Sequence, residues 1–505
     1  MGWRDLNAWK NLNVQRSLVF TALYSLAMGL WGTSVLSGYL KSIPPGKNSL
    51  VGTAEGLQGT IQAIAALPSG ALADTYGREM VLRGGSVVGM LAITIFVATL
   101  LYGESYDGDE SLSQGRVEFV LTCVSLSMFG FFDGVTSGSI EAMFHDSLAV
   151  TERPRLTTAK FVTRVFFRAA GPCMSAVMFV YIGDTWTRPE LRTVFFVGLG
   201  LTVLPVLMVL SLRQKYTLGQ ESEAIQTSPA MPLSNTYESL PDAEIRLEED
   251  VVYSDASPTT GARRTDNASG NGLEERLLGN AEAGEAQDAD GGQDERETAG
   301  SKTRLDAKYY IPRIILASDI MFGLASGMTI KFFPLFFKDE VELTPAQVNW
   351  IYVVSPLFLV SFSLLATKAT ATFGRVRVPL MFSSLGITLL LCMWRMGESE
   401  GKKLWKTPHV IIPVYILRTA AMNCCSPIRK SILIDFVDKK SRAWWNSMDS
   451  VTQFSWSGSA VIGGILCDKY GYGASFLATA IVQAMALSTF GLALLFRHRI
   501  DSIDH

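Results

Sequence analysis

Histidine is nearly missing from this chain: four occur in 505 residues, none at ligand spacing, so nothing invites metal chemistry. Cysteine is scarce as well. The six (Cys123, Cys173, Cys392, Cys424, Cys425, Cys467) lie within or beside apolar stretches and are not paired in loops. That pattern excludes a disulfide framework or zinc site and leaves small buried thiols. No glycine-rich phosphate loop opens a soluble nucleotide domain, and neither a serine elbow nor a His-Glu metal motif occurs. The sequence therefore indicates no enzyme class, no cofactor and no nucleic-acid partner. Charge is sparse too, at 18% against 48% hydrophobic residues, which excludes an ordinary soluble protein of this length.

The apolar residues gather into blocks about twenty residues long, the length a helix rising about 1.5 Å per residue needs to cross roughly 30 Å of hydrocarbon. Twelve can be read, over 17–40, 50–73, 81–102, 117–140, 159–182, 193–212, 311–337, 347–366, 378–394, 410–426, 444–467 and 474–496. Lipid offers the backbone no hydrogen-bond partner, so each block is expected to span as an α-helix. The fold class expected is an all-α, multi-pass membrane protein surrounded by the lipid bilayer. The flank before the first block is polar and the block itself is long enough to span, so no cleavable leader is expected.

Between blocks six and seven lies an acidic stretch, 213–308, with 20 acidic and 10 basic residues, net −10; the rest of the chain has 27 and 34, net +7. Its composition reads as a disordered linker able to recruit cytosolic partners. The expected organisation is an N-terminal tail (1–16), a six-helix bundle (17–212), the linker (213–308), a second six-helix bundle (309–496) and a C-terminal tail (497–505). Basic residues such as Arg78, Arg83, Arg153, Arg155, Lys439, Lys440 and Arg442 favour the loops on the side of the termini, which places both tails and the linker in the cytoplasm.

The two bundles echo each other. Thr75-Tyr76-Gly77-Arg78 follows block two and Thr372-Phe373-Gly374-Arg375 follows block eight. Asp146 precedes Arg153 by the same seven residues that separate Asp435 from Arg442. An internal duplication into two parallel six-helix repeats follows.

The stretch Gly70-Ala71-Leu72-Ala73-Asp74-Thr75-Tyr76-Gly77-Arg78 resembles the loop signature of the major facilitator superfamily between its second and third helices. The family commonly has basic residues where Thr75 and Glu79 stand, and an arginine on helix four where this chain reads Met128-Phe129-Gly130-Phe131-Phe132-Asp133-Gly134. The resemblance implies twelve helices in two pseudo-repeats and alternating-access transport of a small solute, with protons as a candidate coupling ion. It also implies a gate at Gly70, Asp74, Gly77 and Arg78, repeated at Gly374 and Arg375. Gly77 permits a tight turn, Asp74 suits the positive N-terminal end of a neighbouring helix, and Arg78 can pair with an acid of its own bundle. A receptor or scaffold acting through the acidic linker is the alternative.

Charges inside the blocks are costly and call for a role. In the fold implied by the resemblance, helices one, four, seven and ten line the cavity. Arg418, roughly 14 Å into helix ten, is then the leading substrate or counter-ion contact, and Asp319 on helix seven the candidate for proton coupling or for pairing with a cation. Asn446, Asp449, Gln453 and Ser457 fall on one face of helix eleven, a further candidate wall. Asp133 is expected to pair with Arg164 or Arg168 as a structural bridge. Glu55 and Lys331 are expected to snorkel outward, and Phe332, Phe333, Phe336, Phe337, Trp444 and Trp445 to sit in interfacial belts.

Overall fold

The computed structural model describes residues 7–105, 112–149, 152–218, 291–398, 404–437, 442–496 and 500; for 291–308 and 442–450 only the backbone is described. The helices are α1 (Leu12–Trp31), α2 (Ser34–Ser42), α3 (Asn48–Tyr76), α4 (Arg78–Glu104), α5 (Leu112–Asp146), α6 (Arg153–Ile182), α7 (Arg188–Met208), α8 (Gly291–Ile330), α9 (Phe333–Asp339), α10 (Pro345–Phe373), α11 (Arg377–Glu398), α12 (Pro408–Asn423), α13 (Ser426–Asp435) and α14 (Arg442–Gly491). No strand occurs among the described residues.

Ten segments are long and apolar enough to cross a membrane. The tenth contains two spans, because Gly471 at φ 79° breaks α14 into 442–470 and 472–491. Helix α3 is the remaining span. It carries Glu55, Gln58 and Gln62, and it lies between α5 and α14, so these side chains need not all meet lipid. The twelve spans expected from the sequence are all present, in a multi-pass membrane protein whose backbone satisfies itself. Spans one, seven and ten are each made of two helices, broken at Gly32-Thr33, Lys331-Phe332 and Cys424-Cys425.

Small residues draw the helices together, as packing without a hydrophobic drive requires. Gly130 and Gly134 of α5 lie against the backbone at Gln58 and Gln62 of α3, where a methyl group would have no room. In the N-half (α1–α7), Trp31 stands 5.5–5.9 Å from the rings of Phe96, Phe129 and Phe195. In the C-half (α8–α14), Phe333, Phe336, Trp405, Tyr415 and Phe476 form the matching core. This corrects the belt expectation: Phe332, Phe333, Phe336 and Phe337 are all fully buried. The side chains of Trp444 and Trp445 lie outside the described residues.

The linker bounds shift too. Residues 213–218 lie across the N-half: Asn13 bonds both the N–H and the carbonyl of Arg213, Asn11 donates to the Tyr216 carbonyl, and Glu79 accepts from the Gln214 N–H at 2.6 Å. Helix α8 begins at Gly291, inside the stretch read as linker. Residues 219–290 lie outside the described residues.

Candidate functional site: a central space sealed on one face

Alternation of the spans puts the ends near Leu12, Tyr76, Asp146, Phe373, Asp435 and Phe496 on one face, called the terminal face, and the turns near 42–48, 182–188, 339–345 and 470–473 on the other. At the opposite face the halves are bound together. Asp468, ending the first span of α14, accepts from the Asn48 and Ser49 N–H groups at 2.7 and 2.8 Å, capping α3. Asp184, following α6, accepts from the Ala346 N–H at 2.8 Å, capping α10. Each aspartate satisfies orphan donors at the positive end of a helix in the other half. Lys41 pairs with Asp339, and the Tyr472 hydroxyl joins both of them and Asn48. Trp186 donates its indole N–H to the Leu343 carbonyl at 2.8 Å.

Deeper in, Ser34 bonds Asn349 at 2.7 Å and Ser37 reaches the Lys331 carbonyl, which the break between α8 and α9 leaves available. Lys331 and Glu55 form a cross-half ion pair at 2.6 Å, with the Glu55 side chain 5% exposed. These two charges do not snorkel. Glu55 is buried and half-buried Lys331 turns inward to neutralise it.

Toward the terminal face the described contacts between α3 and α14 thin out. Gly52, Gly56 and Gly59 of α3 press against Ala460, Val461 and Ser457 of α14. Gly70, eleven residues beyond Gly59 and so on the same helical face, has nothing within 4 Å of where a methyl would stand. The polar contacts described at this face stay within one half. Arg78 pairs with Asp146 in the N-half; Arg375 pairs with Asp435 at 2.7 Å in the C-half and donates to Ser431. The two sequence echoes are thus one structural unit used twice, a Gly-Arg turn with positive φ at Gly77 (84°) and Gly374 (89°) tied to the end of the helix two spans on. Asp74 is exposed and makes no hydrogen bond or ion pair among the described residues.

The sequence-selected charges separate into distinct environments. Asp319 pairs with Arg429 at 3.0 Å, not with Arg418. Arg429 was not foreseen, since it sits beyond the apolar block, on α13. Asp133 accepts a hydrogen bond from the Tyr24 hydroxyl of α1; neither Arg164 nor Arg168 forms an ion pair with it, although Arg168 is near enough to be felt electrostatically. Both arginines have exposed side chains, and the third member of that stripe, Lys160, pairs with Glu141 at 2.6 Å. Gln453 is half-buried on α14, while the side chains of Asn446 and Asp449 lie outside the described residues. Arg418, 3% exposed, packs its guanidinium 5.4 Å from the Phe333 ring centre.

Sequence reasoning also missed Glu118, fully buried on α5, which accepts from Tyr39 and Arg188 with Arg192 close by; Gly103 of α4 leaves them room. Asp468 had a readable signal. Asp468-Lys469-Tyr470-Gly471 repeats the Asp-x-Tyr-Gly spacing of Asp74 to Gly77. Asp184 had none beyond its place in a turn.

Residues 315–503 match the family model of the Major Facilitator Superfamily. Solved structures agree over almost the whole chain. A bacterial homologue of the iron transporter ferroportin, in its inward-facing state, superposes with a TM-score of 0.59 at 11% identity, covering 95% of this chain and 97% of that one. The chain has the fold of the major facilitators. Among its structural relatives, the xylose transporter XylE from E. coli, in an inward open conformation, gives 0.59 at 13% identity over 94% of this chain and 95% of its own. The nucleoside transporter NupG gives 0.55 at 13% identity over 95% and 99%. No curated protein sequence matches this chain.

Proposed function

We propose that this protein moves a small solute across its membrane by alternating access, in the state whose central space opens to the terminal face. The observation that carries the reading is the contrast along α3, close backbone contact with α14 at Gly52 to Gly59 and free space at Gly70. Such a contrast is what halves that rock about the seal would present in one of their states. The excess of basic residues assigns the terminal face to the cytoplasm, together with the linker, which makes the state inward-facing. Asp74 would then find its partner only when the terminal face closes, at the N-terminal end of α14, whose backbone begins at Arg442. Relatives with this fold carry a metal, a sugar or a nucleoside by their own names, so the fold does not choose the solute.

Coupling to protons, if the cycle uses them, would run through Asp133. Asp319, Glu55 and Glu118 are each held by a basic partner, whereas Asp133 has a tyrosine hydroxyl. A scaffold has no use for charges this deep, since each is costly to insert.

The test is to lock the seal. Lys41→Cys with Asp339→Cys, oxidised in proteoliposomes loaded against a cell extract, should stop the solute accumulation that mass spectrometry detects for the parent, and reduction should restore it. Accumulation that persists in the cross-linked protein would sink the reading.

A further inference from the structure

Arg418 is a buried cation that pairs with no anion among the described residues. It lies on α12, 3% exposed, and makes no ion pair or hydrogen bond among the described residues. Its Nε and Nη2 are sealed from solvent without a partner, while Nη1 keeps some accessible surface. The Tyr415 hydroxyl is the titratable neighbour described beside it. The acid that could have served, Asp319, is held by Arg429, eleven residues further along the span and about 16 Å away by helical rise.

Such an arrangement is unfavourable when empty. A guanidinium cannot shed its proton, and an uncompensated charge at this depth is costly. The cation–π contact with Phe333 offsets only part of that cost. Further polar groups lie on the neighbouring helix and on the arginine's own helix. Tyr352 of α10 and Thr419 hold buried hydroxyls with no hydrogen bond of normal geometry, and both face the Tyr415 hydroxyl. Phe333 starts α9 directly after the break at Lys331-Phe332, so the wall here belongs to a discontinuous span, the place where freed backbone and side-chain groups can meet a solute.

Resting on the alternating-access reading, we propose that the solute carries an oxyanion group, a carboxylate or a phosphate, which docks on Arg418 with help from the hydroxyls of Tyr352 and Thr419, and that Phe333 and Tyr415 receive an apolar or aromatic body beside it. The planar fork of an arginine matches two oxyanion oxygens at once, a match that a lysine lacks.

The experiment uses the purified full-length protein and needs no transport assay. Thermal unfolding is followed for the parent, Arg418→Met and Arg418→Lys, each without addition and with benzoate, citrate or inorganic phosphate. Without addition, Arg418→Met should unfold at a temperature a few degrees above the parent, because it removes a charge that nothing in the empty site neutralises. At least one of the three anions should raise the parent's unfolding temperature, leave Arg418→Met unmoved, and act on Arg418→Lys with about tenfold weaker affinity. Protection by benzoate or citrate alone assigns a carboxylate, and by phosphate alone a phosphate. An Arg418→Met protein less stable than the parent would make the arginine a structural element and overturn the proposal, as would a parent that none of the anions protects. Neither result touches the cross-linking test, so failure here leaves alternating access standing.

Discussion

Asp184 and Asp468 do the same work in opposite directions. Asp184 leaves the N-half to cap a helix of the C-half, α10, and Asp468 leaves the C-half to cap a helix of the N-half, α3. The internal duplication thus appears at the seal itself as two reciprocal cross-half caps. Both act through helix ends, where backbone N–H groups concentrate positive potential.

The caps should set how firmly the opposite face stays shut. Asp468→Asn and Asp184→Asn each weaken one cap by about 1 kcal/mol, so the population open at that face should rise about fivefold per substitution. Maleimide labelling of Ser37→Cys, a position 1% exposed in the sealed state, reports it. A labelling rate unchanged in both variants would remove the caps from the gate.

The Glu55–Lys331 pair should respond as a buried pair does. Glu55→Gln alone strands Lys331 beside Trp456 and should cost on the order of 3 kcal/mol of stability in the sealed state. Adding Lys331→Met should recover most of that loss, because the second change removes the stranded charge. Unfolding temperatures of the two single variants and the double variant give the coupling. Additive losses would mean that the two charges act independently.

The paired turns at the terminal face should be equally intolerant of a side chain. Gly77 and Gly374 both adopt positive φ, so Gly77→Ala and Gly374→Ala should each destabilise by roughly 1 to 2 kcal/mol, whereas Gly70→Ala, with helical backbone and open space, should be neutral or mildly stabilising. Comparing the three unfolding temperatures checks this. A Gly70→Ala protein as unstable as the other two would show that the space beside Gly70 is needed in some other state.

Much of the architecture could be read because it is local. Blocks of about twenty apolar residues announce spans wherever they occur, and the Gly-Arg turns announce the repeat. Even α3, the least apolar span, kept enough of that signal to be recognised, although its polar side chains are tolerated only because α5 and α14 cover it. The site was legible as a list of costly residues but not as a set of pairs. Arg418 was singled out correctly as deep, yet its proposed counter-ion belongs to Arg429; Glu55 and Lys331, 276 positions apart, gave no sign of being partners. Pairing across that separation depends on how two bundles meet, which no spacing rule encodes.

The sequence by itself therefore determined the number of spans, their duplication and the turns between them, since hydrocarbon thickness and positive φ are demands each segment meets alone. Only the tertiary structure decided which charges neutralise one another, that Arg418 meets no acid among the described residues, and that the seal lies at Asp184 and Asp468. A chain that alternates must carry the contacts for both closed faces at once. Which set is formed is a property of the packed halves and not of any residue.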